Sequence, residues 1–280
     1  MFRWIGWQWA IATLVFSAAR GHEASVQRHS KRVEDFPPTA DPYRVMAKIW
    51  SLYAGSFVPW YGDFLQSAAK HFGMPMRSVL DLACGTGLVT RQIAPWAEAV
   101  VGLDRSEAML RQARSETDAR NVRFVQADFS SFKLEESFDA AVCAGDSLNY
   151  VESTEQLEAV FRGVAAHLRP DGLFVFDTLD HAAFAGLAHR QVTLMCGKLP
   201  LDVYFFYDPD KRVSESRVVF GDIVEPHRRI PLDRDDIRKA AAAAGLEVVE
   251  CFSLNRYFLL LSYVRRFYVL RKFVERKDNP

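Results

Sequence analysis

One arrangement recurs along the chain and limits what it can fold into. A short apolar run ends on an acid or on small residues, a turn follows, and a segment of helical spacing begins. The runs are SVLDLA (78–83), AVVGLD (99–104), VRFVQAD (122–128), FDAAVCAG (138–145) and GLFVFDTL (172–179). Between them lie GLVTRQIAPW (87–96), SEAMLRQARSETDA (106–119), with Ala108, Met109 and Ala113 on one side, and STEQLEAVFRGVAAHL (153–168). Ser153 and Gln156 form a capping-box pattern at the start of the last helix, and RPDG stops it. Apolar strands alternating with helices predict an α/β fold with a parallel sheet covered on both faces. Right-handed crossovers make that sheet doubly wound, in the Rossmann-like manner. Ligands of such sheets bind beyond the carboxyl ends of the strands.

The rest of the chain fits around this unit. Residues 43–72 have helical spacing, broken near Gly55 and Pro59. Residues 180–231 read as antiparallel strands with DPDK as a turn, a small β insertion after the fifth strand. A helix over 233–244, ended by Gly245, leads to a sixth strand, LEVVECFSL, and a seventh, SYVRRFYVLRKF. The expected domain is 41–275. Ahead of it, Arg3, the apolar stretch Trp4–Phe16 and the small residues Ser17, Ala18 and Ala19 have a signal-peptide layout. Three tryptophans there also suit an interfacial membrane anchor, and a dispensable extension is the third reading. The stretch is short for a transmembrane helix, which needs about 20 apolar residues. HSKRVEDFPPTADP reads as a linker up to residue 40.

Lys plus Arg and Asp plus Glu both number 35, so net charge gives no push toward nucleic acid. The basic excess after Arg256 reads as solvated strand ends. Cys84, Cys143, Cys196 and Cys251 have no metal-ligand spacing, no metal site is expected, and buried free thiols fit a reducing, cytoplasmic compartment.

The strand ends carry the functional signal. In DLACGTG, Gly85 and Gly87 let backbone approach a ligand. A dinucleotide fingerprint needs a third glycine where Thr90 stands, and a Walker loop needs Gly-Lys-Ser/Thr, which is absent. Asp104 ends the second strand, placed to accept from a ribose diol. Asp128 ends the third beside Phe129: an acid for an exocyclic amine and a ring for an aromatic face. Together these describe a pocket for a nucleoside without phosphates.

These pieces, in this order, resemble the class I S-adenosylmethionine-dependent methyltransferases. VLDLACGTG is similar to their first motif, VVGLDRSEAML to the second and VRFVQADFSSF to the third. FDAAVCAGDSLNYV and LRPDGLFVFDT resemble their fourth and fifth strands. The resemblance covers residues 43–272 and implies a seven-stranded sheet whose last strand is antiparallel, with the antiparallel β insertion of 180–231 serving as a lid. S-adenosylmethionine is the implied cofactor, with Asp81 and the Gly85–Gly87 backbone near its methionyl part. Asp104 would bind the ribose hydroxyls and Asp128 with Phe129 the adenine, and Ala83, Arg105, Met109, Ala144 and Gly145 are the further cofactor contacts expected.

Methyl transfer from a sulfonium needs an in-line nucleophile with a free lone pair, and a base only where the acceptor is protonated. The loop after the fourth strand lacks the Asn/Asp-Pro-Pro-Tyr/Phe signature of enzymes that act on nucleobase amines or glutamine amides. DSLNY instead resembles small-molecule methyltransferases, including those of amino sugars and glycine. Asp146, Asn149, Tyr150 and Arg228 are therefore the expected acceptor contacts. Tyr43 and Tyr53 are the tyrosines expected to approach the sulfonium, and His227 is the candidate base. Asp177 suits either a structural or a pocket role. The expected partner is a small metabolite methylated at N or O, on a monomer or homodimer, with membrane contact through residues 4–16 as an alternative. A lipid or quinone precursor, RNA or protein as acceptor, and a non-catalytic cofactor-binding protein are the competing readings.

Overall fold

The computed structural model describes residues 24–36, 43, 46–47, 61–196, 199–258 and 261–273. The stretch Trp4–Phe16 lies outside them. Among the described residues no helix is long and apolar enough to cross a membrane.

The central sheet comprises β2 (Ser78–Leu82), β3 (Ala99–Asp104), β4 (Val122–Gln126), β5 (Phe138–Cys143), β6 (Leu168–Thr178), β11 (Leu246–Phe258) and β12 (Leu261–Lys272), in the order β11-β12-β6-β5-β2-β3-β4. Pairs from β6 through β4 are parallel, and β12 runs antiparallel to both β6 and β11. The helices are α1 (Tyr61–Phe72), α2 (Leu88–Ile93), α3 (Glu107–Glu116), α4 (Thr154–His167), α5 (His181–Leu187) and α6 (Arg234–Ala243).

The period-two alternation of the strands sorts the core into two layers. Leu80, Leu82, Phe174 and Phe176 meet Leu157, Phe161 and Val164 of α4 and Ile237 of α6. Val79, Leu173, Val175 and Val269 meet Phe64, Leu65 and Ala68 of α1 and Val89 and Ile93 of α2. Each fully buried side chain of this kind contributes about 1.5–3 kcal/mol. Asp81 and Asp177 belong to the second face, one step beyond its apolar residues, which sets both at the carboxyl edge.

Several boundaries differ from the expected ones for local reasons. Gly87 has φ 76°, so α2 begins only at Leu88. RPDG does not end in a loop: β6 starts at Leu168, paired with Phe138, and Asp171 (φ 64°) sits where the register shifts toward Ala140. Gly102 makes room for Phe124, whose ring would lie 2.7 Å from an added Cβ.

The lid is a second, five-stranded antiparallel sheet, ordered β1-β7-β8-β9-β10. It contains β7 (Arg190–Cys196), β8 (Leu199–Asp208), β9 (Val213–Phe220) and β10 (Ile223–Arg229). Its edge is β1 (Ala24–Arg28), paired with β7. Residues expected ahead of the domain, within the N-terminal segment and linker of 1–40, thus join the lid. The physical reason lies in β8, which is apolar on both faces. Leu201, Val203 and Phe205 face α5 and the central domain, while Tyr204 and Phe206 face away. Phe36 packs on that outer pair, and His29 adds edge contacts to both rings.

Candidate active site

The loop from β2 to α2 is bent by three residues with positive φ: Ala83 (52°), Gly85 (56°) and Gly87 (76°). Asp104 anchors it. One carboxylate oxygen accepts Gly85 N–H at 2.8 Å and the other accepts Ser106 N–H at 2.8 Å. Asp104 thus ties the glycine loop to the start of α3, and burial raises its pKa against these two hydrogen bonds. A carboxylate offers about four lone-pair sites, so acceptor capacity remains on the cavity side.

Asp81 lies beneath the same loop, accepting from Thr90 Oγ1 at 2.6 Å. Burial pushes its pKa up to about 7, with Thr90 pulling down and Asp104 adding to the rise. An unfolded aspartate titrates near 3.9. The fold therefore holds this proton more tightly than the unfolded chain does. Its contribution is full at low pH and fades as pH rises toward 7, by about 1.4 kcal/mol per pH unit. Asp81→Asn should remove that slope. Urea titrations should show the variant gaining on the parent by on the order of 3 kcal/mol between about pH 4 and about pH 7; a constant difference would contradict this.

A cavity of about 160 Å³ opens beyond these strand ends. Among the residues expected at the cofactor, Asp81, Ala83, Gly85, Asp104, Arg105, Met109, Phe129, Ala144 and Gly145 line it. Gly87 and Asp128 do not. Gly87 shapes the turn, and Asp128 Oδ1 accepts from the backbone and hydroxyl of Ser130 at 2.8 and 2.6 Å. Leu103, Met109, Ala127 and Phe129 form an apolar slot beside Asp104. Backbone approach, an acid at the cavity wall and an apolar slot without a phosphate clamp fit an adenosyl group.

On the other side, Gly145 (φ 75°) and Asp146 (φ 53°) form a tight bend after β5. Their N–H groups both donate to Asp177, at 2.8 and 2.9 Å. Consecutive N–H groups in this conformation make a small anion cradle. Tyr61 and Arg265 also donate to Asp177. Asp146 in turn accepts from Arg265 at 2.7 Å and from Arg229 at 3.0 Å, and Arg229 reaches Ser216 at 3.2 Å. One buried network so joins α1, β6, the β5 bend, β12 and the lid. Arg229, Arg265 and Ser216 were not anticipated, and Arg265 (4% exposed) corrects the reading of the basic C-terminal strand as solvated.

Two acceptor-side expectations are corrected. Asn149 donates to the carbonyls of Leu179 and Ile230, both at 2.7 Å, and accepts Leu179 N–H at 2.9 Å. Its amide is committed to clamping β6 against the segment after β10. Arg228 is exposed on β10, because the alternation that turns His227 and Arg229 inward turns it out.

Tyr43, Tyr150 and His227 meet in the cavity. Tyr150 Oη lies 3.2 Å from His227 Nδ1, and the Tyr43 ring stands 5.1 Å from the imidazole. Burial raises both tyrosine pKa values, more so for Tyr43, which hydrogen-bonds Tyr150. Burial and then Arg229, Arg105 and Arg217 lower His227 to about 3, so the ring is neutral. Tyr53 lies outside the described residues. Among the described residues no cluster of His, Cys, Asp or Glu is arranged to hold a metal ion.

A family model described as a methyltransferase domain matches residues 79–172. The chain is similar to malonyl-[acyl-carrier protein] O-methyltransferase of Bacillus cereus, with 31% identity over 201 residues, 67% of this chain and 73% of the relative. It is also similar to dTDP-3-amino-3,6-dideoxy-alpha-D-glucopyranose N,N-dimethyltransferase of Streptomyces fradiae, 34% identical over 145 residues, 50% of this chain and 55% of that protein. The solved S-adenosylmethionine-dependent methyltransferase of Clostridium acetobutylicum shares the fold, with TM-score 0.71 and 20% identity over 83% of this chain and 99% of the other. The chain belongs to the class I S-adenosylmethionine-dependent methyltransferases, which use S-adenosylmethionine as methyl donor. It spans about half the length of several curated relatives, 54%, 43% and 59%.

Proposed function

We propose that this chain transfers a methyl group from S-adenosylmethionine to nitrogen or oxygen of a small-molecule acceptor, by direct in-line displacement. The observation that carries this reading is the single cavity whose one end is the Asp104-anchored glycine loop and whose other end is roofed by the lid. When bound, the cofactor supplies an electrophilic methyl on a sulfonium. Gly85 backbone and Asp104 hold the nucleoside, while Met109 and Phe129 cover its apolar faces. Asp128, on its Ser130 turn, stays a candidate for the adenine edge only through a shift of that turn. Tyr43 and Tyr150 line the acceptor side of the cavity, and the lid excludes water. The thiols take no part: burial pushes Cys84 and Cys143 up, so both stay protonated. Their free state accords with a reducing compartment such as the cytoplasm.

The test uses the full chain with methyl-labelled cofactor and pooled amines, alcohols, phenols and carboxylic acids. Label should move to an acceptor with one equivalent of the demethylated thioether formed. Firm binding of that thioether in calorimetry, with no transfer across the pool, would instead support a cofactor-binding protein without turnover.

A further inference from the structure

A buried acid stands behind the tyrosines of the acceptor side. Glu225 of β10 is fully buried, and its Oε2 accepts Met46 N–H at 3.2 Å. That bond holds the segment that carries Tyr43, whose carbonyl accepts Ala47 N–H at 2.9 Å. Tyr43 lines the cavity and is held at φ 77°, a conformation that residues with a side chain seldom adopt. The same Glu225 oxygen faces the buried Nε2 of His227 across 3.9 Å. The other ring nitrogen, Nδ1, lies 3.2 Å from Tyr150 Oη, and Tyr150 hydrogen-bonds Tyr43.

The protons of this string follow from its order. A neutral imidazole has one N–H and one lone pair. At 3.9 Å the carboxylate is beyond hydrogen-bond reach, yet its charge favours a proton over a lone pair on the nitrogen that faces it. Nδ1 is therefore the acceptor, and Tyr150 spends its only proton there. Its oxygen then accepts from Tyr43, in keeping with a contact that raises the Tyr43 pKa and lowers that of Tyr150. Tyr43 Oη is left with lone pairs and no hydrogen to offer.

We propose that Tyr43 Oη accepts a hydrogen bond from an N–H of the methyl acceptor and so turns the nitrogen lone pair toward the reacting methyl, with Glu225, His227 and Tyr150 as positioning residues behind it. The proposal rests on the methyltransferase reading and narrows it to N-methylation of an uncharged amine.

The electrostatics suit this nucleophile. After burial, Arg229, Arg105 and Arg217 lower the His227 pKa. The same field lowers the pKa of a bound amine, which frees its lone pair without a base. A hydroxyl gains nothing comparable, because Nδ1 already holds the Tyr150 proton and does not draw another. In the reaction the nitrogen lone pair forms the N–CH₃ bond, the C–S bond breaks, and its electron pair stays on sulfur. Positive charge passes from sulfur to nitrogen, and the hydrogen bond to Tyr43 strengthens as it arrives. The surplus proton leaves to water with the product.

The test uses the full chain in two arms. In the first, ¹⁵N-histidine NMR locates the ring proton, and the His227 signals among seven histidines are those lost in His227→Asn. The expected result is a neutral ring protonated at Nε2 throughout about pH 5–8, where an ordinary imidazole titrates. Glu225→Gln, which keeps an oxygen for Met46 N–H without the charge, should shift part of the population to the Nδ1 proton. A proton on Nδ1 in the parent, or titration near the ordinary value, overturns the proposal. The second arm offers methyl-labelled cofactor to separate pools of alkyl and aryl amines, alcohols, phenols and carboxylic acids. Label should move to an amine. Tyr43→Phe should cut kcat/KM about tenfold or more while the demethylated thioether binds within about twofold. His227→Asn, with amide oxygen in place of Nδ1, should keep more of the rate than His227→Gln, whose amide reaches the Nε2 position; a merely structural role would not separate the two. Label on alcohols, phenols or acids with every amine inert overturns the proposal and leaves methyl transfer standing. No transfer to any pool, with the thioether bound in calorimetry, removes both.

Discussion

Replacing Asp104 with alanine is expected to weaken binding of the demethylated cofactor by a factor of about 10²–10⁴ in calorimetry. The carboxylate stands to make two charge-assisted hydrogen bonds to a ribose diol, each worth about 1.5–3 kcal/mol, or about 3–6 kcal/mol together. The same change leaves Gly85 N–H and Ser106 N–H without the acceptor that now holds them. The glycine loop then loses its tie to α3, so the backbone surface that approaches the ligand is no longer preformed. Asp104→Asn, which keeps an oxygen for one of the two N–H groups, should lie between parent and alanine variant. An alanine variant that binds within about threefold of the parent, with an unchanged melting curve, would remove Asp104 from the site.

The second large effect is on stability. Asp177→Ala is expected to destabilise the chain by about 3–5 kcal/mol, because it leaves a buried guanidinium and two buried N–H groups without their anion. Against a typical total of about 5–15 kcal/mol this is a major fraction. In a domain of this size it corresponds to a fall in melting temperature of roughly 6–20 °C. Loss of the anion also frees the Gly145–Asp146 bend, where a non-glycine residue is held at φ 53°. Cofactor affinity should therefore fall along with stability. A shift of less than about 2 °C would mean that Arg265 and the bend find other partners.

How much of this was legible in the amino acids varies by residue. Apolar runs ending on acids placed Asp81 and Asp104 correctly at the carboxyl edge, because strand periodicity and chain direction are local properties. The inward turn of Arg229 was also legible. In IVEPHRR, any reading that turns His227 inward must turn Arg229 inward and Arg228 outward. The burial of Arg265 was not. It depends on β12 lying antiparallel beside β6, with Phe267 opposite Asp177, and that pairing joins segments about 90 residues apart. Asn149 was misread for a similar reason: its partners, 30 and 81 residues away, come together only when the lid returns to the central sheet. Residues 29–36 were taken for linker because their charge hides one ring, Phe36, whose role appears only once both faces of β8 are seen to be apolar.

That edge strand carries a consequence for the order of assembly. β1 is synthesised before the rest of the lid, yet Gln27 meets Gln191 only 164 positions later. Closing so long a loop is entropically late work, so the roof is completed after the nucleoside-facing half has formed. Until then, and in any shortened version beginning past Arg28, the outer main chain of β7 is an unpaired border open to the corresponding strand of another molecule.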